Sequence, residues 1–475
     1  MELLVIAVFV LGYLAITLEH TLKVDKLVPA LVMMAVSWAI IALNLESFSA
    51  WFSPATHELV KDFGVLGLED LESGVFGKTH YMEETLLHHL GKTAEILVFL
   101  LGAMTIVEII DYFNGFSVIK DLINYKKKKT LLWIFCGLAF ILSAIIDNLT
   151  ATIVLISILQ KVVSDKNMRL WYAGLIIIAA NAGGAWSPIG DVTTTMLWIG
   201  KKVSTVNLIY YLLIPSIVCM VVPTIIASFL PQFKGDVELN KSTDNDSSKY
   251  SSKMLIIGLS AIIFVPIFKV VTHLPPYIGM MLSLGVVSVF AEIFSNSKYS
   301  LASVGSSESG VHVSPVHKAL TKIELPSILF FLGILMAVGA LESLGVLFEF
   351  ATDLKKAIPL DVLVILMGVG SAIIDNVPLV AASLGMFTEP IDHPLWHFIA
   401  YSAGTGGSML IIGSAAGVVA MGMEKINFFW YFKNISWLAL IGFISGAVVF
   451  VIIRDYIYIA AEPIINILPP VPIEI

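Results

Sequence analysis

Residues 134–159 read IFCGLAFILSAIIDNLTATIVLISIL, an apolar segment with an aspartate and an asparagine, Asp147 and Asn148, near its middle. An ionisable residue in a membrane-spanning segment costs free energy, and such residues usually face a cavity or an ion pathway. The hexamer SAIIDN that contains this pair returns unchanged at residues 371–376, again within apolar sequence. Because the same costly hexamer occurs twice, we expect a single site that is built from two related halves of the chain.

The composition is that of a polytopic membrane protein. The 475 residues are 57% hydrophobic and 13% charged, whereas a soluble domain has roughly 25% charged residues. Apolar runs near the ~20 residues that cross a bilayer recur along the whole chain. The net charge of -8 provides no basic face, so we expect no nucleic-acid partner. Cys136 and Cys219 both lie in apolar runs, which favours buried packing over a disulfide.

The distribution of charge predicts how the first spans are oriented. We predict spans at about 2–18, 27–44 and 94–113, with the polar residues 45–93 between the second and the third. The first span has no basic residues before it and no small-residue cleavage site, unlike a signal peptide. The cluster Lys126–Lys129 is expected to be cytoplasmic, because lysine-rich loops stay inside. This places the N-terminus outside, in a bacterial inner membrane.

The segments that follow predict a re-entrant hairpin and a broken helix. The hairpin, about 131–163, has the Asp-Asn pair at its tip, and its two arms of about 12–16 residues are short for a full crossing. In the next segment, about 170–200, glycines and a proline interrupt an apolar helix and free its backbone groups. Non-helical backbone at membrane depth is tolerated where it lines a cavity, so both interruptions point to a cavity.

A polar linker at 231–252, predicted to be cytoplasmic, divides the chain into two similar halves, 1–230 and 253–475. The second half contains a hairpin at about 359–390 and a broken helix at about 395–423. With an odd number of crossings in each, the halves are inverted repeats, the architecture of many secondary transporters. We therefore predict an all-α polytopic fold, with the substrate site near the membrane midplane where the repeats meet.

Two landmarks in the sequence support this repeat. The two hexamers lie 228 residues apart, from Ser143 to Ser371. The glycines of the two helix breaks recur at an offset of 223, since Gly184 matches Gly407 and the glycine at 190 matches the one at 413. Chance rarely supplies a hexamer and then a glycine pattern in the same order.

The residues at the two hairpin tips predict a sodium site. Hard cations prefer oxygen ligands, and each Asp-Asn pair supplies a carboxylate, an amide oxygen and freed backbone carbonyls. A buried aspartate can also bind and release a proton near neutral pH, so one acid can couple the two ions. The tips differ three residues after the aspartate, where the first has Thr150 and the second Pro378. The predicted sodium ligands are Asp147, Asn148, Thr150, Asp375 and Asn376; the alternative is that the aspartates only cap the helix breaks.

Further polar residues are predicted to line a proton and ion pathway. Asp191 follows a Pro-x-Gly turn, so it can cap the second part of the first broken helix and can also carry the proton. The matching region of the second half has Ser408 and Ser414 but no carboxylate. The predicted pathway residues are Asn181, Asp191, Thr193, Thr194, Ser408, Glu108 and Glu342. The two glutamates lie near the ends of corresponding spans, where they can also simply reach the membrane interface.

Histidines 57, 80, 88 and 89 fall in the predicted polar loop. They either sense pH, because histidine titrates near neutrality, or belong to a solvated segment without a further role. The sequence has no metal-ligand spacing such as His-Glu-x-x-His, so we expect no cofactor, with sodium or lithium as a substrate only.

Five motifs resemble those of the NhaD-type sodium/proton antiporters, which belong to the ion transporter superfamily: SAIIDNLTATIV, NAGGAWSPIGDVTTTMLW, FFLGILMAVGALESLG, SAIIDNVPLVAA and GTGGSMLIIGSAAGVVAMG. The resemblance runs over about residues 94–460. It implies an inner-membrane homodimer that exports sodium, and often lithium, in exchange for protons and so serves pH homeostasis. It also implies a scaffold and a mobile transport part that moves as an elevator. By this similarity the family's polar intramembrane positions are Asp147, Asn148, Asn181, Asp191, Thr193, Thr194, Asn376 and Ser408.

Other functions are weighed against cation exchange. Dicarboxylate carriers of the superfamily have Ser-Asn-Thr at their hairpin tips, whereas carboxylates at these tips would repel an anion such as a dicarboxylate or arsenite. No lysine or arginine lies near the predicted tips or within the broken helices, although helix ends can still bind an anion. An intramembrane aspartyl protease would use Pro188-Ile-Gly-Asp191, but this motif lacks the first glycine of Gly-x-Gly-Asp. A passive channel is a further alternative, but inverted repeats with broken helices favour alternating access, so we predict a transporter and no enzyme.

Overall fold

The computed structural model describes residues 1–17, 22–48, 50–53, 58–61, 76–118, 123, 125–237, 250–302, 314–373 and 375–465. Within these ranges the helices are accompanied by one antiparallel pair of strands, β1 (Ala50–Ser53) and β2 (Glu58–Lys61). Ala50 pairs with Lys61, and Ser53 pairs with Glu58. The prediction of an all-α chain therefore holds for the apolar segments, but it missed this short pair of β-strands in the polar segment after the second helix.

The helices of the first half have the following bounds in the described residues: α1 (Glu2–Thr17), α2 (Leu27–Leu43), α3 (Phe76–Tyr112), α4 (Lys128–Ile146), α5 (Asn148–Val162), α6 (Lys166–Gly184), α7 (Val192–Ile199) and α8 (Thr205–Phe229). Those of the second half are α9 (Ser251–Thr272), α10 (Pro276–Ala302), α11 (Pro315–Leu320), α12 (Leu325–Ser343), α13 (Val346–Ala357), α14 (Leu360–Ser371), α15 (Asn376–Met386), α16 (Pro394–Gly406), α17 (Ala415–Glu424), α18 (Phe428–Asn434) and α19 (Ser436–Ile465). Short 3₁₀ turns occur at Leu45–Ser47 and Pro231–Phe233.

Seven helices in the described part of the chain are long and apolar enough to cross a membrane: α3 over Met82–Tyr112, α4, α8, α9, α10 over Pro276–Ser295, α12, and α19 over Ser436–Tyr456. Two lengths differ from prediction. Helix α3 begins at Phe76, so the second part of the predicted polar loop is helical. Helix α4 has 19 residues and is about 28 Å long, so the first arm of the first hairpin exceeds the predicted length and approaches a full crossing of ~30 Å.

The first hairpin turns at Asp147, where α4 ends and α5 begins. Asp147 has φ 74° and ψ 158°, a region that residues other than glycine rarely adopt and that costs of order 1–3 kcal/mol. In the second hairpin, α14 ends at Ser371 and α15 begins after Asp375, whose φ is -42°. Backbone strain in the described residues of the two turns is therefore confined to the first aspartate.

The two broken helices have matching caps. Helix α6 ends at Gly184 and α7 begins after Asp191, whose φ and ψ are -149° and 146°. Helix α16 ends at Gly406 and α17 begins after Ser414, with φ -148° and ψ 152°. Asp191 and Ser414 are 223 residues apart in the sequence, and each side chain accepts a hydrogen bond from a backbone N–H of the helix that it starts. The capping role predicted for Asp191 is confirmed.

Each hairpin packs on the broken helix of its own half through the same contacts. The hydroxyl of Ser143 donates to the carbonyl oxygen of Ala180 at 2.6 Å, and that of Ser371 donates to Ala403 at 2.8 Å. A Cβ added to the glycine at 190 would lie 3.0 Å from the Cα of Ala144, and one added to Gly413 would lie 2.7 Å from the Cα of Ala372. These contacts recur at the offsets of 228 and 223 that the sequence shows.

The two halves interlock at the helix breaks. Helix α17 of the second half packs on α5 and α6 of the first, and α15 of the second half packs on α7. Nε of Arg169 lies 3.1 Å from both carboxylate oxygens of the buried Glu424 and joins the start of α6 to the end of α17. Elsewhere α2 runs along α12, with the indole N–H of Trp38 donating to the carbonyl oxygen of Met336 at 2.8 Å.

Candidate cation site

The two hairpin tips and the first helix break meet at the carboxylate of Asp191, which is 2% exposed. Nδ2 of Asn148, from the first tip, donates to Oδ2 of Asp191 at 2.7 Å. Nδ2 of Asn376, from the second tip, donates to the same oxygen at 3.2 Å. The backbone N–H and the hydroxyl of Thr193 both donate to Oδ1 at 2.8 Å. All these donors are neutral, so the hydrogen bonds orient the carboxylate without supplying a positive charge.

A second chain of hydrogen bonds connects this carboxylate to the break in the second half. Nδ2 of Asn148 also donates to Oδ1 of Asn181 at 2.9 Å, and Nδ2 of Asn181 donates to the hydroxyl of Ser414 at 3.0 Å. Since Ser414 occupies the position that corresponds to Asp191, the centre has one carboxylate and one hydroxyl at equivalent caps. The asymmetry that the sequence predicted therefore lies at the junction of the two halves.

Asp147 is held within its own hairpin. Oδ1 accepts from the backbone N–H of Thr150 at 2.8 Å, and Oδ2 accepts from the Thr150 hydroxyl at 2.9 Å. Asp147 is half-buried, and both of its carboxylate oxygens line the turn that begins α5. Thr150 thus positions the carboxylate, and its hydroxyl oxygen lies beside it.

Asp375 has a different partner, which the sequence analysis missed. The ammonium group of Lys26, the residue before α2, donates to Oδ2 of Asp375 at 3.1 Å. The two side chains are 25% and 13% exposed. The predicted spans 2–18 and 27–44, with the N-terminus outside, place Lys26 in the short cytoplasmic loop between them. The sequence has no local signal for this pair, because the two residues are 349 positions apart.

Three carboxylates and one lysine line a common cavity between the tips. Its polar lining comprises Lys26, Asp147, Asn148, Asp191, Ser327, Asp375 and Asn376, and its apolar lining includes Leu100, Met104 and Phe331. About 50 Å³ is open to water-sized molecules, which is room for a few, because one water needs roughly 10–15 Å³. Within the described ranges no three His, Cys, Asp or Glu side chains converge closely enough to hold a metal ion. The aspartates therefore surround the cavity without meeting at one point.

Other predicted residues lie away from this cavity. Glu108 is 3.9 Å from Lys322 at the end of α3, and Glu342 lies beside Gly385, at the opposite end of α15 from the tip. The hydroxyls of Thr194 and Ser408 donate to nearby backbone carbonyls, at 2.9 and 2.7 Å. These four side chains are absent from the cavity lining, and their role as pathway residues stays a prediction.

His89 and the two cysteines are buried among other side chains of the fold. His89 belongs to α3 and not to a solvated loop, since it is 7% exposed and its Nε2 lies 3.3 Å from the hydroxyl of Ser343. His57 and the side chain of His80 lie outside the described residues. Cys136 and Cys219 are buried and form no disulfide.

Seven potential membrane spans among the described residues, with charged side chains at the junction of two helix breaks, are typical of a multi-span membrane transporter. Residues 13–392 match the family described as CitMHS, citrate transporter. The chain belongs to this family. Several relatives that match most of the chain are named Na(+)/H(+) antiporter NhaD, which confirms the resemblance seen in the motifs. Since the relatives are named as antiporters and transporters, the chain is a transporter and not an enzyme.

The similarity to these relatives covers most of the chain. It is 40% identical to sodium/proton antiporter 1 of Arabidopsis thaliana, over 94% of this chain and 72% of that protein. It is 31% identical to the Na(+)/H(+) antiporter NhaD of Alkalimonas amylolytica, over 94% of this chain and 89% of that one. The crystal structure of the YdaH transporter of Alcanivorax borkumensis has a TM-score of 0.56 and 13% identity, over 90% of this chain and 98% of that chain. That last likeness concerns the fold alone.

Proposed function

We propose that this protein exchanges sodium, and also lithium, for protons across its membrane, with Asp147, Asp191 and Asp375 as the acids that bind both. The observation that carries the proposal is the position of Asp191, a buried carboxylate that receives an amide N–H from each hairpin tip. Two relatives that match 94% of the chain are named as sodium/proton antiporters, which supports the exchange of sodium for protons.

Electrostatics favours a cation in this cavity. Asp191 is close enough to Asp147 and to Asp375 for their negative charges to repel one another, and Lys26 supplies a single positive charge among the cavity residues. A bound sodium ion or a bound proton relieves this repulsion, so the two compete for the same acids. Such competition at shared carboxylates makes the exchange obligatory.

The ligands proposed for sodium are oxygens of both tips. Asp147 and Asp375 supply carboxylate oxygens, and Thr150 supplies a hydroxyl oxygen. Asn148 and Asn376 use their amide N–H groups on Asp191, which leaves their amide oxygens as acceptors. Asp191 is the candidate proton carrier, because its carboxylate is the most buried of the three.

Alternating access is proposed to follow the repeat. Residues 1–230 and 253–475 form two inverted repeats, joined by a cytoplasmic linker at 231–252, and each contributes one hairpin and one broken helix to a mobile part. The recurrence of the same hairpin contacts at constant offsets supports this division. The mobile part moves as an elevator against a scaffold within a homodimer. We also propose that the protein lies in a bacterial inner membrane with its N-terminus outside. Its relatives come from bacteria and from a plant.

A second candidate is sodium-coupled transport of an anion such as citrate or arsenite. The name of the family and the position of Lys26 at the cavity favour it. In that case Lys26 would bind a substrate carboxylate, and the aspartates would hold a coupling sodium ion. However, Lys26 is already paired with Asp375, and the two remaining carboxylates would repel an anion.

The deciding experiment uses purified protein in vesicles with an acidic interior and a pH-sensitive dye. Sodium, lithium, potassium, citrate, succinate and arsenite are added separately. We expect only sodium and lithium to trigger proton movement. If no alkali cation does so and citrate or another anion is taken up instead, the exchange proposal is wrong and the anion candidate replaces it.

A further inference from the structure

The carboxylate of Asp375 is not capped in the way the other two are. Asp147 and Asp191 each accept the backbone N–H of a threonine in the helix that follows. Asp375 makes no side-chain hydrogen bond to the start of α15. The reason lies in the sequence, because Pro378 occupies the place of Thr150 and has neither a backbone N–H nor a hydroxyl. The second tip therefore presents a carboxylate that is open to another partner.

Lys26 provides this partner in surroundings that suit a cation. Its ammonium group lies 3.1 Å from Oδ2 of Asp375 and 4.6 Å from the centre of the Phe330 ring. Aromatic faces attract cations through their quadrupole. Lys26 also lines the cavity together with Asp147 and Asp191. A positive charge at this point neutralises part of the site in the absence of a bound ion.

The lysine comes from outside both hairpins and both broken helices. It precedes α2, which packs on α12 so closely that a Cβ added to Gly333 would lie 2.8 Å from the backbone of Ala30. A lysine at the first turn of a helix also faces the positive end of the helix dipole. Its position is unfavourable for α2 itself, and the pair with Asp375 compensates for this. The ion pair joins the α2–α12 pair to the second tip.

We propose that Lys26 is an intramolecular counter-ion of the transport site, which occupies the cation position beside Asp375 and is displaced when the transported cation binds there. This inference rests on the proposed exchange function and adds to it a specificity-determining residue. It has two consequences. Lys26 lowers the apparent affinity for sodium, and its release frees the second tip from α2 when the site is loaded.

The test compares Lys26→Gln with wild type in the vesicle assay, at alkaline pH so that proton competition is weak. If Lys26 occupies the position about four-fifths of the time, its removal lowers the sodium concentration for half-maximal exchange about fivefold. Lys26→Arg keeps the charge and pairs more firmly with a carboxylate, so that concentration should stay at the wild-type value or rise. In a Pro378→Thr background, in which Asp375 gains a donor in its own helix, Lys26→Gln should produce a smaller shift than it does in the wild-type protein.

Lys322→Gln is the matched control, because Lys322 pairs with acids of α3 and does not line the cavity. It should leave the sodium dependence unchanged. The inference is overturned if Lys26→Gln lowers only the maximal rate, as a purely structural contact would, or if Lys26→Arg makes sodium bind more tightly. Wild-type protein in the same vesicles separates the two proposals. Its failure to exchange sodium overturns both, whereas normal exchange without a Lys26 effect overturns this one alone.

Discussion

The two hairpin tips share the hexamer SAIIDN but use its aspartate differently. At the first tip Asp147 has a strained backbone and is held by the N–H and hydroxyl of Thr150. At the second tip Asp375 has a relaxed backbone and is paired with Lys26. A single position three residues after the aspartate separates these outcomes, since a threonine supplies two donors and a proline supplies none. An identical motif thus gives one aspartate fixed within its hairpin and one bound to a distant helix.

The comparison indicates a division of labour between the tips. The carboxylate of Asp147 is oriented by Thr150 of its own hairpin, so it is ready to bind an ion whatever the rest of the protein does. Asp375 keeps its partner only while the second tip lies next to the start of α2, because Lys26 precedes that helix. The orientation of its carboxylate therefore depends on the conformation of the whole protein. The strain at Asp147 agrees with this view, because strained residues concentrate at binding sites.

The largest effect is expected from Asp147→Asn and Asp191→Asn. Each variant keeps the shape of the side chain but removes a charge that we assign to cation and proton binding, so exchange should fall to the level of empty vesicles. Vesicle flux measured beside the amount of inserted protein checks this. Asp353→Asn, at an exposed ion pair with Lys356 away from the cavity, is the control and should keep nearly full activity. If Asp147→Asn exchanged at the wild-type rate, the shared-acid mechanism would be wrong at that position.

An intermediate effect is expected when the first tip is made to resemble the second. Thr150→Pro removes both donors to Asp147, and Thr150→Val removes only the hydroxyl. A helix cap contributes about 1 kcal/mol, so we expect the half-maximal sodium concentration to rise about fivefold for the proline and less for the valine. Titration of exchange against sodium measures both. Equal effects of the two substitutions would contradict a role for the backbone N–H.

The smallest effect is expected from the reverse change, Pro378→Thr. The new threonine can donate to Asp375 and weaken its pair with Lys26, so the half-maximal sodium concentration should fall, by about twofold and less than for Lys26→Gln. Pro378→Ala, which restores the N–H without the hydroxyl, gives an intermediate control. A rise in that concentration for Pro378→Thr would show that the tips differ for another reason.

Much of the site could be predicted from sequence because its parts are local. The spacing of Asp191 after Pro188 predicted a helix cap, and the cap is present. The repeat offsets predicted equivalent breaks, and the same contacts recur there. The length of α4 and the strands β1 and β2 were missed, since apolar content alone fixes neither the first residue of a helix nor a short pair of strands in polar sequence.

The sequence by itself determined the membrane class, the two Asp-Asn tips and the two helix breaks, because the cost of placing charge and helix-breaking residues in apolar sequence can be judged from neighbours along the chain. Only the tertiary structure decided that Asn148 and Asn376 meet at Asp191 and that Lys26 pairs with Asp375 across 349 residues. Such contacts depend on how helices from both halves pack. Residues that are distant in the chain pair only after the fold buries them next to each other, and this cannot be judged from their neighbours in the sequence.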